Sequence, residues 1–450
     1  MESGAETLPR TTPGSPAAKP KLPPGPSWTL AGSTLRWWRR PLEVLERGRE
    51  RYGDVFTLRV AHEDTWVLLS DPEHVKRVFT GDPRLLHAGE ANTTLLPVVG
   101  DQSVLLLDEP AHMRERKLML PPFHGKRMQR YGELMAEIAT NEIDRWPQDR
   151  KLRVRPRMQA VTLEVILRAV FGVADNERLR RFRDELSSLL EAISDPRRAI
   201  FPVLLGPERI RRVPAFRRKM ARVDGLLFEE VAARRAAGDL EQREDILSLL
   251  LQARHEDGRA MSDRELRDEL MTLLVAGHET TATALSWAIE LLARHPAQLE
   301  RLEAELASNG DEYLDAVIKE TLRLRPVIAL VLRHLTEPME IGGHLVPAGV
   351  SLAPCIYLVH RRPDVYPEPE RFRPERFLER KPGTYTWIPF GGGVRRCLGA
   401  AFAEFEMGVV LRELVRRRRI RPASDRPEHP VRRTITNVPS RGGEVIAEPR

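Results

Sequence analysis

Apolar positions recur every three to four residues over the longest patterned stretch of the chain, from Asp263 to about Arg294. Both ends are marked: Ser262-Asp-Arg-Glu265 is a capping box, and His295-Pro296 stops the period. At 1.5 Å per residue such a helix runs roughly 48 Å, enough to cross a large domain. Other helical periods open at Asp71-Pro72 and reach Phe79, start at Glu109-Pro110 with the proline at the first helical position, and occupy Leu314–Leu324 and Ala400–Arg416. Residues 131–260 alternate helical periods with breaks at Pro147, Pro196, Pro202, Pro207 and Pro214, the pattern of a helical bundle. Within them, Ala192–Leu205 is weakly patterned and reads as an interhelix loop or an entry flap.

Shorter alternating runs predict strands. Asp54–Val60 and Thr65–Ser70 flank His62-Glu63-Asp64 as a hairpin. Gly342-Gly343 and Pro347-Ala348-Gly349 mark turns, and Thr434–Val438 with Glu444–Ala447 reads as a closing hairpin. Ala88–Gly100 has no period and is expected to be a loop. The fold class is therefore mainly α with small β-sheets.

Composition narrows the setting. Hydrophobic residues at 41% suffice for a core, and Pro9, Pro13, Pro16, Pro20, Pro23, Pro24 and Pro26 crowd the start, so residues 1–25 are expected to be a disordered proline-rich tail ahead of one domain over 26–450. No apolar run reaches the roughly 18–20 residues of a membrane helix, and the polar start does not read as a signal peptide, so neither a membrane anchor nor secretion is expected. Two cysteines give no disulfide framework and suit a reducing cytoplasm. The net charge of +7 admits nucleic acid by sign alone, but no nucleic-acid motif accompanies it.

One of those cysteines carries the chemistry. Phe390-Gly-Gly-Gly-Val-Arg-Arg-Cys397-Leu-Gly399 sets Cys397 behind a glycine loop and before a helix, where backbone N–H groups are expected to lower the thiol pKa and favour a thiolate ligand. Gly391 and Gly393 can take positive φ beside a flat cofactor, Phe390 can pack over the sulfur, and Arg395 can reach an acidic group. Zinc lacks a second pair of soft ligands in sequence, since Cys355 is remote and reads as core. For a cysteine hydrolase no histidine lies nearby in sequence, though one could approach in space. In the long helix, Ala276-Gly-His-Glu279-Thr280 places an acid and an alcohol amid apolar residues; Thr280 can bond the Ala276 carbonyl, and Gly277 leaves room for a local opening. His112 and Arg116 share a helix face suited to a carboxylate, and Glu320 and Arg323 stand three apart.

Together these motifs resemble, in order and over roughly residues 25–450, the cytochrome P450 family of haem-thiolate monooxygenases. The resemblance implies one large domain with a long central helix, heme b (iron protoporphyrin IX) with Cys397 as the metal ligand, and Phe390, Gly391, Gly399 and Ala276 around the cofactor. It further implies that Arg395, Arg333, His112 and Arg116 hold the propionates. Glu279 and Thr280 would deliver protons, and Glu320, Arg323 and Arg376 would form a buried structural cluster. Ala276, Val327, Ile328, Ala329, Leu330 and Ile435 would wall the substrate pocket. Implied partners are dioxygen, a hydrophobic small molecule (fatty acid, terpenoid, steroid or polyketide-like), and a ferredoxin or flavodoxin with its reductase, docking on a basic face that includes Arg114, Lys117 and Arg130; the protein is expected to be a monomer. Peroxide as the physiological oxidant stays open.

Overall fold

The computed structural model describes residues 21–63, 65–123, 127–172, 177–194 and 206–450. The long helix spans Asp263–Arg294 and is capped as its sequence requires: Ser262 Oγ accepts from Glu265 N, and Ser262 N donates to Glu265 Oε2 at 2.7 Å. Most of its length is buried, because neighbours cover it on several sides. Helix Val154–Phe171 packs along it, as do Ala400–Arg417, Pro214–Ala236 and Glu312–Leu324. Gly277 is what allows the first of these to come close, since a Cβ there would stand 3.2 Å from Ile166 Cδ1. The helix is unbroken at Gly277, so the expected opening is a close helix crossing instead.

Helix Ala400–Arg417 lies against Arg127–Asp144, with the Phe402 ring edge-on to Phe123 and Tyr131 at centroid separations of 6.0 and 5.6 Å. These apolar surfaces join in one large core, and two smaller cores underlie the main sheet. That sheet has five strands in the order Val55–Arg59, Thr65–Leu69, Ser351–Pro354, Arg333–Leu335, Leu86–His87. Its first two strands form the expected hairpin, with Val55 opposite Leu69. Met339–Ile341 and His344–Val346 pair around Gly342-Gly343, both at positive φ.

Several expectations need correction. Residues 88–100 contain helical turns, Glu90–Leu95 and Leu96–Val99, rather than loop alone; they are short enough to lack any period. Pro110 is the N-cap of helix Ala111–Met119, one place earlier than expected. The two C-terminal strand segments do not pair with each other. Thr436–Pro439 pairs with Pro430–Arg433, and Glu444–Pro449 joins Lys151–Arg153 and Arg418–Pro422. Arg418 therefore belongs to a strand, and its buried guanidinium donates to Ile143 O at 3.0 Å. At the other end the tail boundary falls inside attached chain: Lys21 N donates to Leu345 O at 3.1 Å and Thr57 N to Pro24 O at 2.8 Å. Residues 1–20 and most of the weakly patterned 192–205 lie outside the described residues. No helix among the described residues is long and apolar enough to cross a membrane.

Candidate active site

A single cavity of about 1970 Å³ runs between the central helix, the 390–399 loop and the mouth of the small hairpins. Small-molecule pockets usually occupy roughly 300–1,000 Å³, so this one can take a large cofactor and a ligand together. Cys397, Phe390, Gly391, Arg395, Gly399, His112, Arg116, Arg333, Ala276, Glu279 and Thr280 all line it. So do Val327, Ile328, Ala329, Leu330 and Ile435. Glu320, Arg323 and Arg376 do not, in keeping with a structural assignment.

The loop that presents the sulfur is closed by Cys397 N donating to Phe390 O at 3.0 Å. Gly391 and Gly393 both have φ near +66°, a region that side-chain-bearing residues rarely adopt. At Gly393 the demand is doubled, because a Cβ would lie 2.1 Å from Phe79 O; the neighbour that needs the glycine is Phe79 backbone, which the sequence did not disclose. Phe390 stacks edge-on to Trp387 at 6.1 Å, and Trp387 Nε1 donates to Lys319 O at 3.1 Å, fixing the entry to the loop. His360 Nε2 accepts from Ile388 N at 2.9 Å and steadies the same approach.

Cys397 is open to the cavity but lies deep beneath the outer surface. Burial pushes its thiol up from the ordinary value, while the Gly399 N–H and the cations of Arg396 and Arg116 pull it part of the way back. The expected net lowering is thus not met by the polypeptide alone, because the loop removes more water than its single N–H contact and two cations replace. A bound metal ion would supply the missing positive charge, since a coordinating thiol is deprotonated outright.

On another wall, four basic groups gather. Arg395 donates to Asp108 Oδ1 at 2.8 Å, to Val104 O at 3.2 Å and to Leu107 O, and its Nε has no hydrogen-bond partner. Arg333 is buried, donates to Leu332 O at 2.7 Å and Gly392 O at 3.5 Å and lies 5.9 Å over the Phe79 ring, and burial pushes it down to about 10. Arg116 donates to Arg396 O at 2.7 Å. His112 is held by Nδ1 against Glu109 Oε1 at 2.7 Å, which leaves its other ring nitrogen for the cavity; burial and the Arg395 charge lower its pKa. Asp108 and Glu109 do not balance three guanidiniums, two of which, Arg333 and Arg395, have lost most of their water. This surplus, with the orphaned Arg395 Nε, fits a planar cofactor bearing carboxylates, and Cys397 fits its metal: the residues present suit haem.

Across the cavity the central helix presents Ala276 and Thr280. Thr280 Oγ1 donates to Ala276 O at 2.6 Å, as its spacing predicted. The Glu279 carboxylate is turned aside: it accepts from the guanidinium of Arg155 and, at 2.7 Å, from Gln159 Nε2. Arg155 and Gln159 were missed as site residues because nothing in the pattern 151–163 separates them from an ordinary helix start. Beside them His278 is buried against Thr162 Oγ1 at 3.1 Å, and burial brings it down to about 4. Ile435 stands at the tip of its hairpin, 48% exposed because it projects into the void. Val327 and Ala329 are largely buried within the wall, and Ile328 bridges to Thr436.

Outside the cavity, Glu320 accepts from Arg323 at 2.7 and 2.9 Å and from Arg376 Nε at 3.1 Å. Arg323 also donates to His360 O and Pro369 O, both at 2.8 Å, so every strong donor of this buried group has a partner.

The model of the cytochrome P450 family matches residues 22–443. Among curated proteins, the chain is 46% identical over 431 residues to the chain named cytochrome P450 135B1 of Mycobacterium tuberculosis, covering 94% of this chain and 91% of that one. To cytochrome P450 135A1 of the same organism it is 40% identical, covering 95% and 96%. Among solved structures, retinoic-acid-bound cyanobacterial CYP120A1 superimposes with a TM-score of 0.83 at 23% identity, covering 96% of this chain and all of that one. The haem domain of cytochrome P450DA gives 0.81 at 24%, covering 95% and 98%. Sequence, fold and cavity agree: the chain belongs to the cytochrome P450 family and is a haem-dependent monooxygenase.

Proposed function

We propose that the chain inserts one oxygen atom of dioxygen into a hydrophobic small molecule of the fatty acid, terpenoid, steroid or polyketide-like kind, with heme b held by Cys397. Electrons would come from a separate ferredoxin or flavodoxin with its reductase. The observation that carries this reading is the convergence on one cavity of the Cys397 sulfur, a cationic wall, and the Thr280 hydroxyl amid apolar residues.

When bound, haem supplies the activation of dioxygen; the protein's task is binding, orientation and proton supply. Cys397 Sγ would hold the haem iron in this reading. Arg395, Arg333, Arg116 and His112 would pair with the propionates, and Phe390, Gly391, Gly399 and Ala276 would shape the space around the ring. Thr280 Oγ1 spends its proton on Ala276 O and so offers its lone pairs to a water, fixing that water beside the reacting centre. Glu279 serves as the outer relay: its carboxylate takes a proton when its bond to Arg155 opens and passes it through water towards Thr280. Val327, Ile328, Ala329, Leu330 and Ile435 exclude water and hold the substrate by apolar contact.

Arg114 and Lys117 are exposed on the helix that carries His112, which supports docking of an acidic electron carrier there. Lys117 pairs with Glu256 at 2.8 Å, and Arg130 with Glu244, so part of that face is internally neutralised. Two unpaired cysteines suit a reducing, cytoplasmic setting, and we infer a monomer. The test is to supply the haem-loaded protein with a surrogate ferredoxin, its reductase and isotopically labelled dioxygen, and to screen lipophilic compounds first by Soret shift. One labelled oxygen per product supports the reading; reductant consumption that no compound stimulates, with no labelled product, overturns it.

A further inference from the structure

We propose that Glu115, His255 and Glu265 form a binding site for one divalent transition-metal ion of the zinc class, separate from the haem cavity. None of the three lines that cavity. Glu115 comes from helix Ala111–Met119, Glu265 from the first turn of the central helix, and His255 from the short turn bridged by Arg254 and Ala260. One ligand atom of each lies within 4.8 Å of the other two, and His255 Nε2 stands 3.9 Å from Glu265 Oε1. Around a tetrahedral zinc with bonds of roughly 2.1 Å, ligand atoms sit about 3.4 Å apart, so side-chain adjustments suffice to close the site.

A second observation points to a missing cation. Glu115 is only 4% exposed, yet its Oε1 has no hydrogen-bond partner, and His255 Nε2 has none either. Glu269, one helical turn beyond Glu265 and fully buried, also keeps an unpartnered Oε2. Buried polar atoms left unpaired in this way are uncommon in folded proteins and costly. Arg259 does serve Glu265, at 2.8 and 2.9 Å, but from the exposed side, and it leaves Glu115 Oε1 and the imidazole unserved. One imidazole with two carboxylates suits zinc better than magnesium or calcium, which prefer all-oxygen shells. An ion here would join the helix bearing His112 and Arg116 to the start of the central helix.

The test uses haem-loaded, chelator-treated full-length protein titrated with zinc chloride and, separately, magnesium chloride, by calorimetry and by thermal unfolding. We expect one zinc per chain, a raised unfolding temperature, and no comparable response to magnesium. His255→Gln and Glu115→Gln should each weaken zinc binding by more than the roughly 10–100-fold that loss of a group merely orienting a ligand brings. Arg259→Ala, which removes the competitor for Glu265, should tighten it; a purely structural cluster gives no such gain. The proposal is overturned if zinc does not bind stoichiometrically, or if His255→Gln retains wild-type affinity while showing the wild-type haem spectrum.

Discussion

The Glu279 carboxylate is bound to the guanidinium of Arg155 on the neighbouring helix, while the hydroxyl of the next residue, Thr280, is tied to its own helix at Ala276 O. The acid and the alcohol adjoin in sequence but answer to different partners, so a proton moving between them needs water and the opening of an ion pair. Thr280→Ala is therefore expected to leave substrate binding, read as a Soret shift, nearly unchanged. Product formed per reductant consumed should fall by roughly 10-fold or more. An unchanged ratio would remove Thr280 from proton delivery.

The cluster of Glu320, Arg323 and Arg376 is a stability element. Arg323→Ala leaves Glu320 buried with a single cation and frees the carbonyls of His360 and Pro369, at a cost of about 3–5 kcal/mol. Arg323→Lys should fail nearly as badly, because an ammonium cannot reproduce the guanidinium fork. Thermal unfolding and haem content per chain report both.

Gly393 tests the loop geometry without removing a polar group. Gly393→Ala demands φ near +66° of a residue with a side chain and drives its Cβ into Phe79 O. The expected destabilisation is about 1–3 kcal/mol, with loss of haem retention. By contrast, Gly225→Ala lies inside helix Pro214–Ala236 with nothing within 4 Å of its Cβ, and should stabilise by roughly 0.5–1 kcal/mol.

His278 gives the protein an acid-sensitive contact. Its folded pKa of about 4 lies below the ordinary 6.5, so between these values the unfolded chain binds more protons. Its stabilising contribution is complete above about pH 6.5 and is lost as pH falls towards 4, up to about 3 kcal/mol in all. Urea unfolding at pH 7 and pH 5 should show a smaller loss for His278→Gln than for the parent protein.

Much of this was legible in the residues because it is local. The central helix announces its ends through Ser262, Glu265 and Pro296, the sulfur loop through its glycines, and Thr280 through its four-residue distance from Ala276. What stayed hidden depends on chain segments that meet only in the folded molecule. Arg155 reaches Glu279 across 124 residues, and Arg395 reaches Asp108 across 287. No periodicity encodes such meetings. The pairing of the last strands was misjudged for a related reason: adjacent strand patterns favour a hairpin, and only the buried positions on Lys151–Arg153 and Arg418–Pro422 show why Glu444–Pro449 goes elsewhere. At Cys397 the N–H groups of the helix start are visible in sequence, whereas the loss of water that opposes them is not.

The central claim is that Cys397 binds haem iron as a thiolate, and its most direct measurement is the absorption spectrum of the reduced protein under carbon monoxide. The account predicts a Soret band displaced to the red, as thiolate ligation gives, and its loss in Cys397→Ser. Protein that retains no haem, or a carbonyl complex absorbing where histidine-ligated haem absorbs, would contradict it.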